Sequence, residues 1–263
     1  MSLTPELRSA LDAFTRNERI LVLMDFDGVL ADLGDDPSLS RMRPQSHVAL
    51  ATLSTLPFTD VGIVTGRPLA DILRVAEPGE ELLVVASHGL EFLQTSVGDD
   101  IYRPTAADTE ILTALSAFLT PLTAAVPGAW LEVKPAGIAV QTRLCEPDAG
   151  RALVARVGVL PDHLTSLTVR GGKNVLEFSV SSATKGTAVK FLAELKQTGN
   201  ILFVGDDVTD EDGFAALPVT GIGVKVGPGV THAEYRIEDT TDVTALLDLL
   251  VELRMPAPTP APA

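Results

Sequence analysis

The sequence predicts an α/β protein, a doubly wound parallel sheet with a smaller α+β domain inserted into its middle third. Three observations predict it. Apolar runs of strand length alternate with helix-like stretches along most of the chain. Two of these runs, far apart in the sequence, end in bare carboxylates. Between about Tyr102 and Ser181 the alternation gives way to a different rhythm. Runs without polar alternation suit strands buried on both faces, and alternating strand and helix signals are how parallel sheets are wound.

The elements follow in order. Met1 to Arg19 reads as a polar helix, with Thr4 as cap and Pro5 in its first turn. Ile20–Met24 is the first strand, followed by a loop rich in Asp, Pro and Ser and a helix around His47–Leu56. Val61–Val64 and Leu82–Ala86 are further strands, ending at Thr65-Gly66-Arg67-Pro68 and Ser87-His88-Gly89. After the insertion, a helix passes through Val189, Leu192 and Leu195. Ile201–Val204 and Gly221–Val226 complete the strands, and Thr240 or Thr241 caps a last helix through Leu253. The insertion reads as αββαββ: helix Thr109–Ala125, strands Trp130–Lys134 and Gly137–Arg143, helix Pro147–Val157, strands Leu167–Arg170 and Val175–Ser179. Gly171-Gly172 before Lys173-Asn174 suits a hairpin turn between the last two. The division is thus a core of residues 1–101 and 182–255, a cap domain of 102–181, and a Pro/Ala tail of 256–263 expected to be disordered.

Composition narrows the function. At 263 residues and 46% hydrophobic content the chain can bury one large core or two modest ones. Acids outnumber bases 35 to 20, for a formal charge of -15, which disfavours nucleic-acid and membrane-surface partners. An anionic substrate would need a locally basic pocket. Cys145 is the one cysteine, which removes an intrachain disulfide and fits a reducing compartment. No run reaches spanning length and the first helix lacks a signal-peptide core, so a soluble, cytoplasmic protein is expected. Nothing in the sequence speaks to oligomeric state.

The carboxylates carry the chemistry. Asp25 and Asp27 follow the first strand, and Gly28 lets the backbone turn away. Asp206, Asp207 and Asp210 follow the strand Ile201–Val204. In open α/β sheets ligands bind at this strand edge. Two unit charges about 4 Å apart repel by roughly 4 kcal/mol at an effective dielectric of about 20. Five convergent carboxylates therefore call for a cation, and an all-oxygen set points to Mg²⁺. Asp206 would bind the metal with Asp25 and the Asp27 carbonyl, while Asp207 and Asp210 orient metal-bound water. The acidic loop could also bind Ca²⁺, but it lacks the ligand order of an EF-hand. The Asp-x-Asp spacing suits phosphoryl transfer, with Asp25 as nucleophile and Asp27 as general acid and then base. Thr65, Gly66 and Arg67 can hold phosphate oxygens, and Lys185 in a first helical turn wants an anionic partner. Each motif alone also suits an ordinary turn, cap or solvated charge. There is no Walker P-loop and no HExxH.

Taken together, Asp25-x-Asp27-Gly28, Thr65-Gly66-Arg67, Lys185-Gly186 and Gly205-Asp206-Asp207-x-Thr209-Asp210 resemble, in order, the four motifs of the haloacid dehalogenase superfamily. The finer wording is similar to the trehalose-6-phosphate phosphatase family. Gly205 to Asp212 is close to its fourth motif, and Ser87-His88-Gly89-Leu90-Glu91 to its HG-x-E signature. The resemblance spans about Leu21 to Leu250. It implies a Rossmann-like core, a mobile cap, Mg²⁺ and hydrolysis of trehalose 6-phosphate to trehalose. It also implies that His88, Glu132, Lys134, Arg143 and Glu177 face the disaccharide phosphate, with Lys134 and Arg143 supplying positive charge.

Three positions depart from the family pattern. Val29 stands where threonine is usual, Gln141-Thr142 where His-Tyr is usual, and Ser179-Val180 where Arg-Pro is usual. The last two lie in the domain that chooses substrate. They keep open a phosphatase for another glycosyl phosphate, of sucrose or glucosylglycerol type. A non-catalytic sugar-phosphate sensor is the remaining alternative.

Overall fold

The computed structural model describes residues 3–34, 36–93, 104–172 and 174–255. Its elements run α1 (Pro5–Thr15), β1 (Ile20–Met24), α2 (Pro44–Ser54), β2 (Thr59–Val64), α3 (Leu69–Ala76), β3 (Leu83–Ala86) and β4 (Glu91–Leu93). Next come α4 (Ala106–Ala124), β5 (Trp130–Lys134), β6 (Gly137–Gln141), α5 (Pro147–Val157), β7 (Thr168–Gly172) and β8 (Val175–Ser179). The chain closes with α6 (Lys185–Lys196), β9 (Ile201–Gly205), α7 (Asp210–Ala216), β10 (Ile222–Val226), β11 (Tyr235–Ile237) and α8 (Thr240–Arg254). Two compact units result, residues 1–99 with 184–263 and residues 100–183, against expected breaks at 101/102 and 181/182.

The first unit is a seven-stranded sheet in the order β11-β10-β9-β1-β2-β3-β4, parallel except for β4. Strands β1, β3, β9 and β10 are buried at every position, which is why β1, β3 and β9 read as unbroken apolar runs. Side chains alternate between faces. Ile20, Val22 and Met24 join a core with Leu7 and Leu11 of α1, Leu50 of α2, Ile72 of α3 and Leu246 of α8. Leu21 and Leu23 join Val189 and Leu192 of α6 and Phe214 of α7 on the opposite face. From β1 the chain winds outward through β2 and β3, then returns to β1's other side with β9. The carboxyl ends of β1 and β9, paired in register with Met24 opposite Val204, therefore form the switch point where ligands bind in such sheets.

The second unit is an antiparallel sheet, β5-β6-β8-β7, with α4 and α5 packed on one face. Leu115 and Leu119 of α4 and Leu153 and Val157 of α5 meet Ile138, Val140, Leu176 and Phe178 there. The alternate positions turn to the other face, where Glu132, Ala139, Glu177 and Arg170 pair in one row across all four strands.

The structure corrects several expectations. The first helix is amphipathic rather than polar, burying Leu7, Leu11 and Phe14. Gly171 and Gly172 lie within β7, paired with Leu176 and Val175, rather than in the turn, and Asn174, just before β8, has φ 60°. Asp239, not Thr240 or Thr241, caps α8, its carboxylate accepting the amides of Thr241 and Asp242. The short strands β4 and β11 have no counterpart in the sequence analysis; three-residue edge strands carry too little periodicity to register. The Pro/Ala tail lies outside the described residues. Among the described residues, no helix is long and apolar enough to cross a membrane.

Phe203, fully buried on β9, has its ring 5.3 Å from that of Phe214. A Cβ at Gly213 would come within 2.2 Å of the same ring. With no room to rearrange, Phe203→Ala should lower unfolding free energy by about 3–5 kcal/mol, measured by chemical denaturation. A loss below about 1 kcal/mol would mean that the site collapses around the deletion.

Candidate active site at the carboxyl edge of the sheet

Asp25 is the residue after β1. Its amide continues the ladder to the Val204 carbonyl at 2.9 Å, which places it at the switch point with only 5% exposure. Lys185 opens α6 and is itself 1% exposed. Its Nζ lies 2.8 Å from Asp25 Oδ2 and 2.7 Å from Asp210 Oδ1, so the anionic partners that its position called for are aspartates. Thr184 and Thr187 form a reciprocal cap that sets where the helix, and with it the lysine, begins. Asp210 is fully buried, and its second oxygen accepts the amides of Asp206 and Asp207, both at 2.9 Å.

Two glycines make room for this packing. A Cβ at Gly28, which has φ +76°, would stand 2.2 Å from Asp206 Oδ2. One at Gly205 would stand 2.3 Å from Asp210 Cγ. Carboxylate oxygens of Asp25, Asp206 and Asp210 consequently lie within 4.8 Å of one another. The carboxylates of Asp27 and Asp207 fall outside this group, Asp207 being half-buried beside it.

The charges do not balance. Burial, and then the Asp210 carboxylate, raise the pKa of Asp25 well above the usual carboxylate range, against the pull of Lys185. The same causes push Asp206 up to about 7. Burial works against the charge on Lys185, but Asp210 and Asp25 outweigh it and hold the ammonium protonated. Three carboxylates face one ammonium in a low dielectric, a deficit that a divalent cation would fill. The all-oxygen donors at this spacing fit a hard divalent ion.

The second strand end is built differently from expectation. Thr65 follows β2, and its hydroxyl accepts the Arg67 amide at 3.2 Å. Arg67 was expected to bring charge to a phosphate. Its Nε and Nη2 instead bond both oxygens of Asp27, each at 2.6 Å, and its Nη1 bonds Asp71, also at 2.6 Å. Ser40 donates to the same Asp27 carboxylate at 3.3 Å. Ser87 and His88 adopt left-handed φ of 50° and 57°, and their amides bind the carbonyls of Arg67 and Thr65. The His88 ring covers Gly66, where a Cβ would approach Cε1 to 2.5 Å.

Glu91 is a site residue whose part the sequence analysis missed. Its Oε2 accepts the Leu69 amide at 3.0 Å and the Ser87 hydroxyl at 2.6 Å. It thus caps α3, which Pro68 leaves without a side-chain cap, and ties the turns after β2 and β3 together. The signal was present in the Ser87 to Glu91 motif, but only its histidine was given a role. Lys225 is a second omission, a 4%-exposed lysine on β10 that contacts the Asp206 carbonyl.

On the polar face of the second unit, Lys134 Nζ lies 2.5 Å from Glu177 Oε2. Gln141 donates to Glu132 at 2.7 Å and accepts from Arg143 at 2.9 Å, and the Arg143 guanidinium lies 5.6 Å from the Trp130 ring centroid. The two departures in this unit have structural roles: Gln141 bridges Glu132 to Arg143, and the buried Ser179 hydroxyl holds the Ala136 carbonyl at 3.0 Å.

The family model described as trehalose-phosphatase matches residues 23–241. A bifunctional trehalose-6-phosphate synthase/phosphatase of Thermoproteus tenax is 32% identical over 240 residues, 90% of this chain but 32% of that protein. The chain therefore spans about a third of that relative's length. The trehalose-6-phosphate phosphatase of Escherichia coli K12 is 28% identical over 230 residues, 86% of this chain and 84% of that one. Among solved structures, the C-terminal domain of the Candida albicans trehalose-6-phosphate phosphatase superposes with a TM-score of 0.82 at 22% identity. That likeness of fold covers 96% of this chain and 98% of that one.

The raised carboxylates have a consequence for stability. Between pH about 4 and about 7 the folded protein keeps a proton on Asp206 that the unfolded chain has released. The stability this group contributes is complete below pH about 4 and lost as pH rises through about 7. Metal-free Asp206→Asn should therefore be more stable than the wild type at pH 8, by on the order of a few kcal/mol, and melt at a higher temperature, and the two should converge toward pH 4. Thermal melts in chelator would check this. An Asn variant that melts lower at pH 8 would show that the carboxylate is not under electrostatic stress.

Proposed function

We propose, for a chain that belongs to the trehalose-phosphatase family, that it hydrolyses trehalose 6-phosphate to trehalose and phosphate through an aspartyl-phosphate on Asp25. The observation that carries this reading is the buried Asp25 carboxylate at the switch point, held by Lys185 beside Asp206. Lys185 takes Oδ2 and leaves the other oxygen to attack phosphorus. As the phosphorus–O6 bond breaks, Asp27, which takes up a proton from solvent once it has left Arg67, gives that proton to the sugar oxygen. Asp27 then takes a proton from water, which attacks the phosphoryl group and releases phosphate and the free Asp25 carboxylate. Asp27 must leave Arg67 to do this, and a phosphate monoester competing for the guanidinium would free it. Thr65 and Gly66 would meet the remaining phosphate oxygens. Mg²⁺, held by Asp25, Asp206 and the Asp27 carbonyl with Asp207 and Asp210 around it, would neutralise charge developing on the phosphoryl oxygens.

His88, Glu132, Lys134, Arg143 and Glu177 are proposed to read the sugar, Lys134 and Arg143 offsetting a net charge of -15. One observation favours a second reading. Gln141 fixes Glu132 and Arg143 through its carboxamide, which differs from what an imidazole would offer there, and this suits another glycosyl phosphate. The single cysteine suits a cytoplasmic enzyme.

Phosphate release measured with Mg²⁺ over a panel of disaccharide and hexose phosphates tests the reading. Trehalose 6-phosphate should give the highest kcat/KM. A better sucrose- or glucosylglycerol-type substrate would favour the alternative, and no release from any would favour a sensor. Asp25→Asn should lower turnover by at least about 10³-fold with the fold intact. Glu132→Ala or Glu177→Ala should raise KM for trehalose 6-phosphate at least about tenfold while changing hydrolysis of a small aryl phosphate less than about threefold. Equal losses on both substrates would remove the sugar-reading role.

A further inference from the structure

Lys225 is a buried cation to which the phosphatase chemistry gives no task. It lies on β10, opposite Gly205 of β9, with 4% of its surface exposed. Burying an ammonium is expensive unless its partners are fixed, so the partners show what it is for. Its Nζ contacts the backbone carbonyl of Asp206, and Glu211 Oε1 stands at an ion-pair distance of 3.7 Å. The other Glu211 oxygen accepts the His232 amide at 2.7 Å and the Thr231 hydroxyl at 3.2 Å, both from the loop between β10 and β11. Three segments are thus tied together: the strand, the acidic loop and the loop after the strand.

The tie acts on the backbone of Asp206. The Asp206 amide is bound by Asp210 and its carbonyl by Lys225, so its peptide groups are held on both sides. Its carboxylate is turned over Gly28 toward Asp25. The lysine carries charge of the same sign as the cation, so by Coulomb's law alone it weakens every divalent ion there alike. Holding a ligand still has a different effect. Mg²⁺ demands near-ideal octahedral geometry at short distance, whereas Ca²⁺ accepts longer, irregular ligand sets. A rigid Asp206 favours the former.

We infer that Lys225, anchored by Glu211, is a positioning residue that makes the acidic site select Mg²⁺ over Ca²⁺ by fixing the backbone of Asp206. This rests on the reading of the carboxylate group as a divalent-metal site. Calorimetric titration of substrate-free protein with Mg²⁺ and, separately, with Ca²⁺ tests it on wild type and Lys225→Met. The ratio of the two dissociation constants should move at least about tenfold toward Ca²⁺ in the variant, and a purely electrostatic lysine would shift both constants together and leave the ratio in place. A folded Lys225→Met with a ratio within about twofold of wild type overturns the inference. Should that variant not fold, Glu211→Gln decides: it keeps the loop hydrogen bonds but not the charge that anchors the ammonium, and must shift the ratio in the same direction. Wild-type protein that binds neither ion overturns the metal reading itself, while binding with an unchanged variant ratio overturns only the role of Lys225.

Discussion

The Lys185 ammonium joins two carboxylates from opposite ends of the first unit's sequence, and the site's geometry hangs on that bridge. Asp25 comes from the end of β1, Asp210 from the start of α7, and both are nearly sealed from water. Without the ammonium between them the two acids would repel by several kcal/mol at their separation. With it, Asp210 is free to spend its second oxygen on the amides of Asp206 and Asp207, which shapes the acidic loop. Placement of the lysine depends in turn on the capping pair Thr184 and Thr187. A helix start, a loop and a strand end are thus locked by one charge that remains in deficit, and that deficit suits the site to a divalent cation.

Around this bridge the protein gives the two aspartates that follow β1 separate partners. Asp25 faces Lys185 and Asp206, whereas Asp27, two residues on, is taken up by Arg67 and Ser40. Glu91 and His88 secure the turns that carry Thr65 and Arg67. The arginine therefore serves two anions in succession in the proposed reaction, the resting carboxylate and then the ester.

Much of this was legible in the sequence because it is local. Apolar runs that end in acids locate β1 and β9, and the order of the motifs puts their carboxyl ends together. The middle third announced its own sheet through a change of rhythm, and β5, α5 and β8 begin and end where the pattern does. What escaped is what depends on pairing across the fold. Arg67 has the same type and spacing whether it faces a ligand or Asp27, and only the structure shows which. Lys225 sits in an apolar strand with nothing nearby in sequence to mark it, since its partners lie at 206 and 211. Glu91 caps a helix that begins 22 residues earlier. Strands β4 and β11, at three residues each, are too short for a periodic pattern to register.

The parallel pairing of β1 with β9 also bears on how the chain is made. Residues 21–24 must wait for 201–204 before their second edge is covered, and the whole inserted unit is synthesised in between. Until then β1 can have β2 on one side only, leaving an apolar edge exposed to any other strand. Long-range parallel closure of this kind is slow, so the growing polypeptide passes through an aggregation-prone interval that ends only when the segment carrying Asp206 leaves the ribosome.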